Sequence, residues 1–462
     1  MDPVTLEVIA TITGGRLLTG DPASRITAVS TDSRKVTREA IFFALRGDRF
    51  DGHDCLGQAA ESGAVAVCVE RMPQGSPIPE GIGVIVVEET RAALLKLASG
   101  VRNGLSAEVI GITGSSGKTS TKEMLASILV QRDEVVASPA SYNNEIGLPL
   151  TIFQANRDTR FLVLEMGMRG HGQIALLAEV ARPDVGVITN IGESHIGLLG
   201  STNAIAQAKG ELAEALPGWG RLCINIDDPW GKELALRSSA PVIPFGLAPE
   251  ATVRGEEVSL DRRGRARFRI VRTGEEASVM LPFPGIHQVA NALAAAAAAT
   301  ALGRPLGDIV AGLENCRNPC MRMEVHPAIN GAILINDAYN ANPSSTRAAL
   351  AALAAMTGSR RMAVLGEMRE LGEESRSEHR KIGEIAGEMG LDYLFGIGEW
   401  AKDLCAGGLT GGLGRDRCLI FSHPDEAIGY LQRALGPGDL LLVKASRAHR
   451  LDLIAEALRA AE

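Results

Sequence analysis

Residues 108–121, Glu-Val-Ile-Gly-Ile-Thr-Gly-Ser-Ser-Gly-Lys-Thr-Ser-Thr, carry the densest chemical signal in the chain. An apolar, strand-prone run (Val109, Ile110, Ile112) breaks into a glycine-rich turn that delivers Lys118 and Thr119, and a helix-compatible segment follows over 121–131. Gly114 and Gly117 let backbone N–H groups close around phosphate oxygens, Lys118 adds a point charge, and Thr119 offers a hydroxyl to Mg²⁺. Ser115, Ser116 and Ser120 complete the candidate nucleotide contacts. Ile112 stands where the longer form of this motif has glycine, which leaves the shorter Thr-Gly-x-x-Gly-Lys-Thr version. A plain glycine-rich hairpin would explain the turn but not the order strand, turn, Lys-Thr, helix. The loop predicts a nucleoside triphosphate.

Further polar residues fall where apolar runs end, the place at which open parallel sheets gather their ligands. Glu165 closes the run 161–164 and is placed to complete an Mg²⁺ shell begun by Thr119, or to charge a helix N-terminus. His195, in Asn190-Ile191-Gly192-Glu193-Ser194-His195, reads as a metal ligand or as a structural histidine. Lys209, on a helix starting near Ser201, would by default be a solvated charge. Asn291 opens an alanine-rich helix, and Arg322 lies just past Asn318-Pro319. Asp337, Tyr339, Asn340 and Asn342 follow a strand-like run; a ribose or an amide would satisfy such a group. Lys444 and Arg447 flank the end of the last run, where Ser446 could instead cap a helix. Near the start, Ser30, Thr31, Ser33, Arg34 and Arg46 sit in segments where charges and aromatics interleave with Gly47 and Gly52.

These residues need a sizeable scaffold. At 462 residues the chain is long enough for two to four cores. Hydrophobic content of 45% with 22% charged residues is that of a soluble globular protein. A net charge of −8 gives no global field to hold nucleic acid or an anionic membrane, so neither partner is expected. The start lacks the basic and apolar regions of a secretory signal, and the alanine-rich run 292–302 is too short to span a bilayer. Seven scattered cysteines form no zinc pattern and read as buried free thiols of a reducing, cytoplasmic compartment.

The first hundred residues mix strand-like runs (40–45, 65–69, 84–87) with turns, and Pro73, Pro77 and Pro79 mark an exposed loop. From Glu108 strand candidates (161–164, 185–189, 222–226) alternate with helix candidates (173–180, 202–216), which predicts a parallel sheet with crossover helices. Residues 251–283 read as an antiparallel appendage, followed by helices over 289–302 and up to Asn315. Beyond the hinge at Asn318-Pro319 a second α/β series runs through 332–335, 362–365, 393–397, 419–421 and 440–443 to a helix over 451–461. The expected class is α/β in three domains, with no internal repeat.

Together these motifs resemble the Mur ligase family of ATP-dependent amide-bond-forming enzymes over essentially the whole chain. The resemblance rests on Thr113-Gly114-Ser115-Ser116-Gly117-Lys118-Thr119, Asn143-Asn144-Glu145-Ile146-Gly147-Leu148-Pro149, Glu165, residues 190–195, Ala208-Lys209-Gly210-Glu211, Asn291, Arg322 and Asp337. Thr31-Asp32-Ser33-Arg34, Glu165-Met166-Gly167-Met168-Arg169-Gly170, residues 337–345 and Leu365-Gly366-Glu367-Met368 match the branch that adds a dipeptide. One departure is Ala445, where the family usually has glycine.

The resemblance implies a small N-terminal α/β domain over 1–104 that holds the UDP end of the substrate, through Ser30, Thr31, Ser33, Arg34 and Arg46. It implies a central P-loop parallel-sheet ATPase domain over 105–317, and a mobile, Rossmann-like C-terminal domain over 318–462 contacting nucleotide and dipeptide. The substrates would be ATP, UDP-N-acetylmuramoyl-tripeptide (UDP-MurNAc-tripeptide) and D-alanyl-D-alanine, joined through an acyl phosphate by a monomeric enzyme. Lys118, Glu165, His195 and Lys209 would be catalytic. Asn291, Arg322 and Asp337 would join the phosphate loop at the nucleotide, and Asn143, Asn144, Tyr339, Asn340, Asn342, Lys444 and Arg447 would contact the other substrates. Two Mg²⁺ ions would be held by Thr119, Glu165, His195 and Lys209, the lysine carbamylated by CO₂. A folylpolyglutamate synthase or another Mur ligase would use the same ATP chemistry on a different acceptor, whereas a small-molecule kinase or a GTPase-type switch shares only the phosphate loop.

Overall fold

The N-terminal residues build a five-stranded sheet in the order Arg16–Thr19, Gly83–Val86, Ala64–Val69, Ala40–Phe43, Ala28–Ser30. All pairs are parallel except the edge strand Arg16–Thr19. The runs Ala-Ile-Phe-Phe and Ala-Val-Ala-Val-Cys-Val are apolar on both faces, as a covered parallel sheet requires. Val36, Phe42, Leu56, Ala59 and Val67 form part of one core beneath it. Three helices accompany the sheet, Leu6–Thr13, Leu56–Glu61 and Thr90–Asn103, where turns had been expected. The computed structural model describes residues 1–47, 50–72 and 81–460, so Asp48, Arg49, the loop prolines Pro73, Pro77 and Pro79, and the end of the last expected helix lie outside the described residues.

The chain divides into two compact units, one of residues 1–111, 132–167 and 173–185, the other of 112–131, 168–172 and 186–462. In the first unit Val135–Ala137 pairs in parallel with Phe161–Glu165. In the second, Arg221–Asn225, Val242–Gly246 and Val253–Leu260 pair in parallel, and Arg265–Arg272 and Glu275–Pro284 continue the same sheet antiparallel. The antiparallel pairing expected over 251–283 is present, and Val253–Leu260 joins it to the parallel sheet. Helix Gln288–Ala301, nine of whose fourteen residues are alanine, is buried along most of its length against these strands. Small side chains let a helix approach a sheet closely.

The last α/β series forms a six-stranded sheet in the order Glu324–Pro327, Ile333–Asp337, Leu440–Lys444, Arg361–Leu365, Tyr393–Ile397, Cys418–Phe421. Only Glu324–Pro327 is antiparallel, and it was not foreseen. Leu440–Lys444, last in sequence, inserts between Ile333–Asp337 and Arg361–Leu365. The strand order thus reverses there, which opens a crevice at the carboxyl ends. Asp337, Lys444 and Leu365 are register partners at those ends.

Candidate active site

Strand Glu108–Thr113 ends in the glycine-rich turn, and helix Lys118–Leu129 starts three residues earlier than its pattern suggested, with Gly117 at φ 80° as its cap residue. A non-glycine residue there would be strained, and its Cβ would stand 2.1 Å from Asn291 Oδ1. Gly114, at φ 149°, packs the same way against Thr189. Neighbouring side chains then fix each peptide of the loop. Asn190 accepts from Ser116 N at 3.0 Å and donates to Ser116 Oγ at 2.9 Å, while Thr189 Oγ1 donates to Ser116 O at 2.6 Å. Ser115 N donates to Asn190 O at 2.9 Å, and Lys118 Nζ donates to Gly114 O at 2.6 Å. Carbonyls are thereby tied back while the Ser115 and Ser116 N–H groups are spent on Asn190, which makes the N-terminus of helix Lys118–Leu129 the end of the loop that faces an anion. Asn291 is buried, donating to Gln288 Oε1 at 2.8 Å.

Helix Thr202–Glu214, capped by Ser201, carries Lys209 inward rather than to solvent: the side chain is 1% exposed. Burial pushes its pKa well below that of an ordinary lysine, and the nearby Lys118 charge pushes the same way. Gly210 leaves the space taken by Arg237, and Glu211 Oε1 accepts from Gly172 N at 2.7 Å. His195 lies at φ 68° beside helix Ile196–Leu199, with Nδ1 2.5 Å from Glu370 Oε2. That neighbour holds the Glu370 carboxyl below its ordinary range.

At the crevice of the last sheet Lys444 Nζ donates to Asp337 Oδ2 at 2.5 Å and to Asn340 O at 2.9 Å, while Asp337 Oδ1 accepts from Met323 N at 3.1 Å. The guanidinium of Arg322 lies over the Tyr339 ring, 4.4 Å from its centroid. Arg447 pairs with Asp452 at 2.8 Å. Ser446 accepts from Arg369 N at 3.1 Å and makes no side-chain cap. Ala445 is accommodated by Gly366, whose Cβ, were there one, would stand 2.7 Å from that of Ala445. His287, not singled out by sequence, faces the same groups. Its pKa is pushed down to about 4, chiefly by burial, with the Asp337 charge opposing and Lys444 assisting.

The remaining candidates belong to the first unit. Glu165 is buried at its strand end, accepting from Asn143 Nδ2 at 2.7 Å. Asn144 Oδ1 accepts from Gly147 N at 2.8 Å and so opens helix Gly147–Ile152. In the N-terminal sheet Ser30 donates to Asp32 O at 3.0 Å and Ser33 to Gln58 at 2.6 Å. Arg34 grips Asp32 through Nε at 2.8 Å and Nη2 at 2.9 Å, which lowers the Asp32 pKa to about 2. Arg46 lies 3.7 Å from both Asp51 and Glu70, and Thr31 is half-buried beside Asp32. Buried His53 props this group, with Nδ1 2.6 Å from Asp51 and Nε2 accepting from Glu70 N at 3.0 Å.

Three family models match in turn: the Mur ligase family catalytic domain over 25–102, the Mur ligase middle domain over 112–299 and the Mur ligase glutamate ligase domain over 321–447. The UDP-N-acetylmuramoyl-tripeptide–D-alanyl-D-alanine ligase of Mycobacterium tuberculosis is 39% identical, over 99% of this chain and 98% of its own. The chain belongs to the Mur ligase family. The MurF structure from Acinetobacter baumannii matches this Mur ligase with a TM-score of 0.89 at 31% identity, covering 99% of this chain and 98% of that one. The MurF ligase of Thermotoga maritima, solved with ADP, matches with a TM-score of 0.81 at 28% identity, covering 93% and 96%. This Mur ligase is thus an ATP-dependent, ADP-forming ligase of α/β architecture.

Within the second unit, 114–120, 189–195, Lys209 and Asn291 cluster about the phosphate loop. Arg322, Asp337, Tyr339, Asn340 and Lys444 form a second group at the reversed strand ends. Thr189, Asn190 and Gln288 were not singled out individually as site residues, although Asn190 stood in a quoted motif. For Thr189 and Asn190 the signal was the polar strand end followed by Gly192, which marks a loop gripping another loop; Gln288, on a helix, gave no such signal. Of the cysteines Cys68, Cys223, Cys316 and Cys405 are buried, but Cys320, in the loop before strand Glu324–Pro327, is exposed, and Cys55 and Cys418, each at an element end, are half-buried. All seven are free thiols.

Proposed function

We propose that this Mur ligase joins D-alanyl-D-alanine to UDP-MurNAc-tripeptide, consuming ATP and releasing ADP and phosphate. The product, UDP-MurNAc-pentapeptide, feeds peptidoglycan synthesis and thereby cell shape and division. The full-length similarity to a relative of that name is the observation that carries this reading. A peptide carboxylate is a poor electrophile, so one of its oxygens attacks the γ-phosphorus of ATP and ADP leaves. The dipeptide amine then attacks the acyl carbon of the resulting acyl phosphate, the C–O bond to phosphate breaks, and the amine gives up a proton. The chain contributes positioning and charge. Lys118 and the loop N–H groups hold the triphosphate, and Asn291, Arg322 and Asp337 are assigned to the rest of the nucleotide. Asn143, Asn144, Tyr339, Asn340, Lys444 and Arg447 are assigned to the peptide and dipeptide; Asn342, expected among them, is left out because its amide is engaged at both ends, by Ser345 N and by Ser194 Oγ. We assign three domains, 1–104, 105–317 and 318–462, with Asn318-Pro319 as the hinge.

Among the described residues no group of three His, Cys, Asp or Glu side chains makes a self-contained metal cage. That suits Mg²⁺, which is usually held by one or two carboxylates together with substrate phosphates and water. Thr119, Glu165, His195 and a carbamylated Lys209 are the residues we assign to two Mg²⁺ ions, which when bound offset charge on the transferring phosphoryl group. The enzyme is read as a cytoplasmic monomer; no described helix is long and apolar enough to cross a membrane, and the thiols are unpaired.

Phosphate release with D-alanyl-D-alanine and UDP-tripeptide should far exceed that with single amino acids. Comparable release with D-alanine or L-lysine alone would overturn the assignment, and a phosphorylated stable product would mean a kinase. Running the assay with tripeptides ending in meso-diaminopimelate and in L-lysine also reads out which is accepted. A second expectation concerns the N-terminal sheet, where Arg46 reaches its carboxylate partners only at ion-pair distance and suits a diphosphate better. Arg46→Ala should raise KM for the UDP substrate about tenfold and leave KM for ATP unchanged. A rise in the ATP constant instead would refute the domain assignment.

A further inference from the structure

The phosphate loop and the last α/β series meet through one serine. Ser194 Oγ donates to Ser115 O at 3.0 Å and accepts from Asn342 Nδ2 at 2.7 Å. All three residues are buried. A hydroxyl has a single hydrogen, so while Ser194 holds the Ser115 carbonyl it can only accept from Asn342. The orientation of that amide is fixed in turn, because Asn342 Oδ1 caps helix Pro343–Ala355 by accepting from Ser345 N at 2.8 Å. Ser115 is also clamped through its own hydroxyl, which accepts from Gly192 N at 2.8 Å.

The same short segment is gripped at three more points. Arg347 pairs with Glu193 at 2.8 Å, and Gly197 N donates to Glu370 O at 3.0 Å. Gly197 and Gly372 face each other so closely that a Cβ on Gly197 would stand 2.6 Å from Gly372 N. A glycine pair of this kind marks a fitted contact between two backbones.

We propose that Ser194 and Asn342 are positioning residues that form a relay, through which seating of the C-terminal residues on segment 192–197 fixes the phosphate loop for nucleotide. Asn342 acts on the loop, not on substrate: both ends of its amide are engaged, by Ser345 N and by Ser194 Oγ. Holding the Ser115 carbonyl on Ser194 keeps that acceptor from turning toward bound phosphates. By linkage, nucleotide binding and seating of the C-terminal residues then strengthen one another. The proposal rests on the ATP-dependent reading above and adds to it the route by which one part of the chain reports to the other.

The test variant is Asn342→Asp. Its carboxylate still accepts from Ser345 N and suits a helix N-terminus, so the fold and melting temperature should hold. It cannot donate to Ser194, and as a charged acceptor it would draw the Ser194 hydrogen away from Ser115. ADP titrated calorimetrically into the full-length protein should bind about tenfold more weakly in Asn342→Asp and in Ser194→Ala. The double variant should lose no more than the worse single one, because both break one relay, and kcat should fall in parallel with KM for the UDP substrate unchanged. The wild-type titration tests the nucleotide reading by itself, while the ratio of variant to wild type tests the relay. Wild-type ADP affinity in Asn342→Asp, additive losses in the double variant, or a change confined to KM for D-alanyl-D-alanine would each overturn the relay.

Discussion

Gly114→Ala should give a folded protein whose affinity for ADP and ATP has dropped about a hundredfold or more, since two loop constraints fail together. The backbone there sits at φ 149°, a region open to glycine and costly to alanine, and the added Cβ would lie 1.9 Å from Thr189 Oγ1. Thr189 cannot simply rotate away, because its hydroxyl holds Ser116 O at 2.6 Å. Backbone lies close on the same side, with Asn190 N 3.2 Å from the new atom. Relief therefore comes from moving the loop, and the loop is the binding site. The strain should cost about 1–3 kcal/mol of stability, enough to lower the melting temperature by a few degrees without unfolding the protein. Gly307→Ala, in helix Leu306–Glu314 with nothing within 4 Å of its Cβ, is the matched control and should be neutral or slightly stabilising. Calorimetric titration of ADP with a thermal scan on both variants decides the matter. Wild-type ADP affinity in Gly114→Ala would show that the loop does not bind through these peptides.

The loop was legible because its signal is local: a strand, two glycines with special backbone angles and a helix start lie within fourteen consecutive residues. The long apolar strands of the later part were legible for a related reason, since strands covered on both faces read as continuous apolar runs. Several of the shortest elements escaped, among them Val4–Thr5, Arg25–Ile26, Val135–Ala137 and Glu324–Pro327, because so few residues establish no period, whereas four-residue strands that are apolar throughout, such as Ala40–Phe43 and Val185–Ile188, were read. Lys209 shows a different limit. Its helix is amphipathic enough to predict, but the pattern does not say that the lysine face is covered, so a solvated charge was the natural expectation. Only tertiary packing makes it 1% exposed. Asn342 teaches the same lesson in reverse. Its position at a strand end invites a ligand role, yet both ends of its amide are occupied by the chain itself.

Lys209→Ala should abolish most ligase activity, and a short-chain carboxylate small enough to enter the cavity should restore part of it. The physical argument begins with burial. An ammonium group enclosed this fully, with the Lys118 charge nearby, is disfavoured, so the neutral amine persists at pH values where an ordinary lysine is protonated. A neutral Nζ can attack the carbon of CO₂; one proton leaves the nitrogen and an N–C bond forms, giving an anionic carbamate. The side chain would thereby pass from a neutral amine to an anionic oxygen donor of the kind Mg²⁺ prefers. An anion there would also be favoured by the Lys118 charge nearby, which no uncharged replacement can exploit. Lys209→Met separates chemistry from packing: it fills similar space without the cost of burying an amine, so it should fold at least as stably and still be inactive. Carbon-13 NMR of the wild-type protein under labelled CO₂ should show a carbamate carbonyl signal that is missing from Lys209→Met. Full activity in Lys209→Ala, or spectra of the two proteins that do not differ, would mean that the lysine remains an amine and that its burial serves the fold alone.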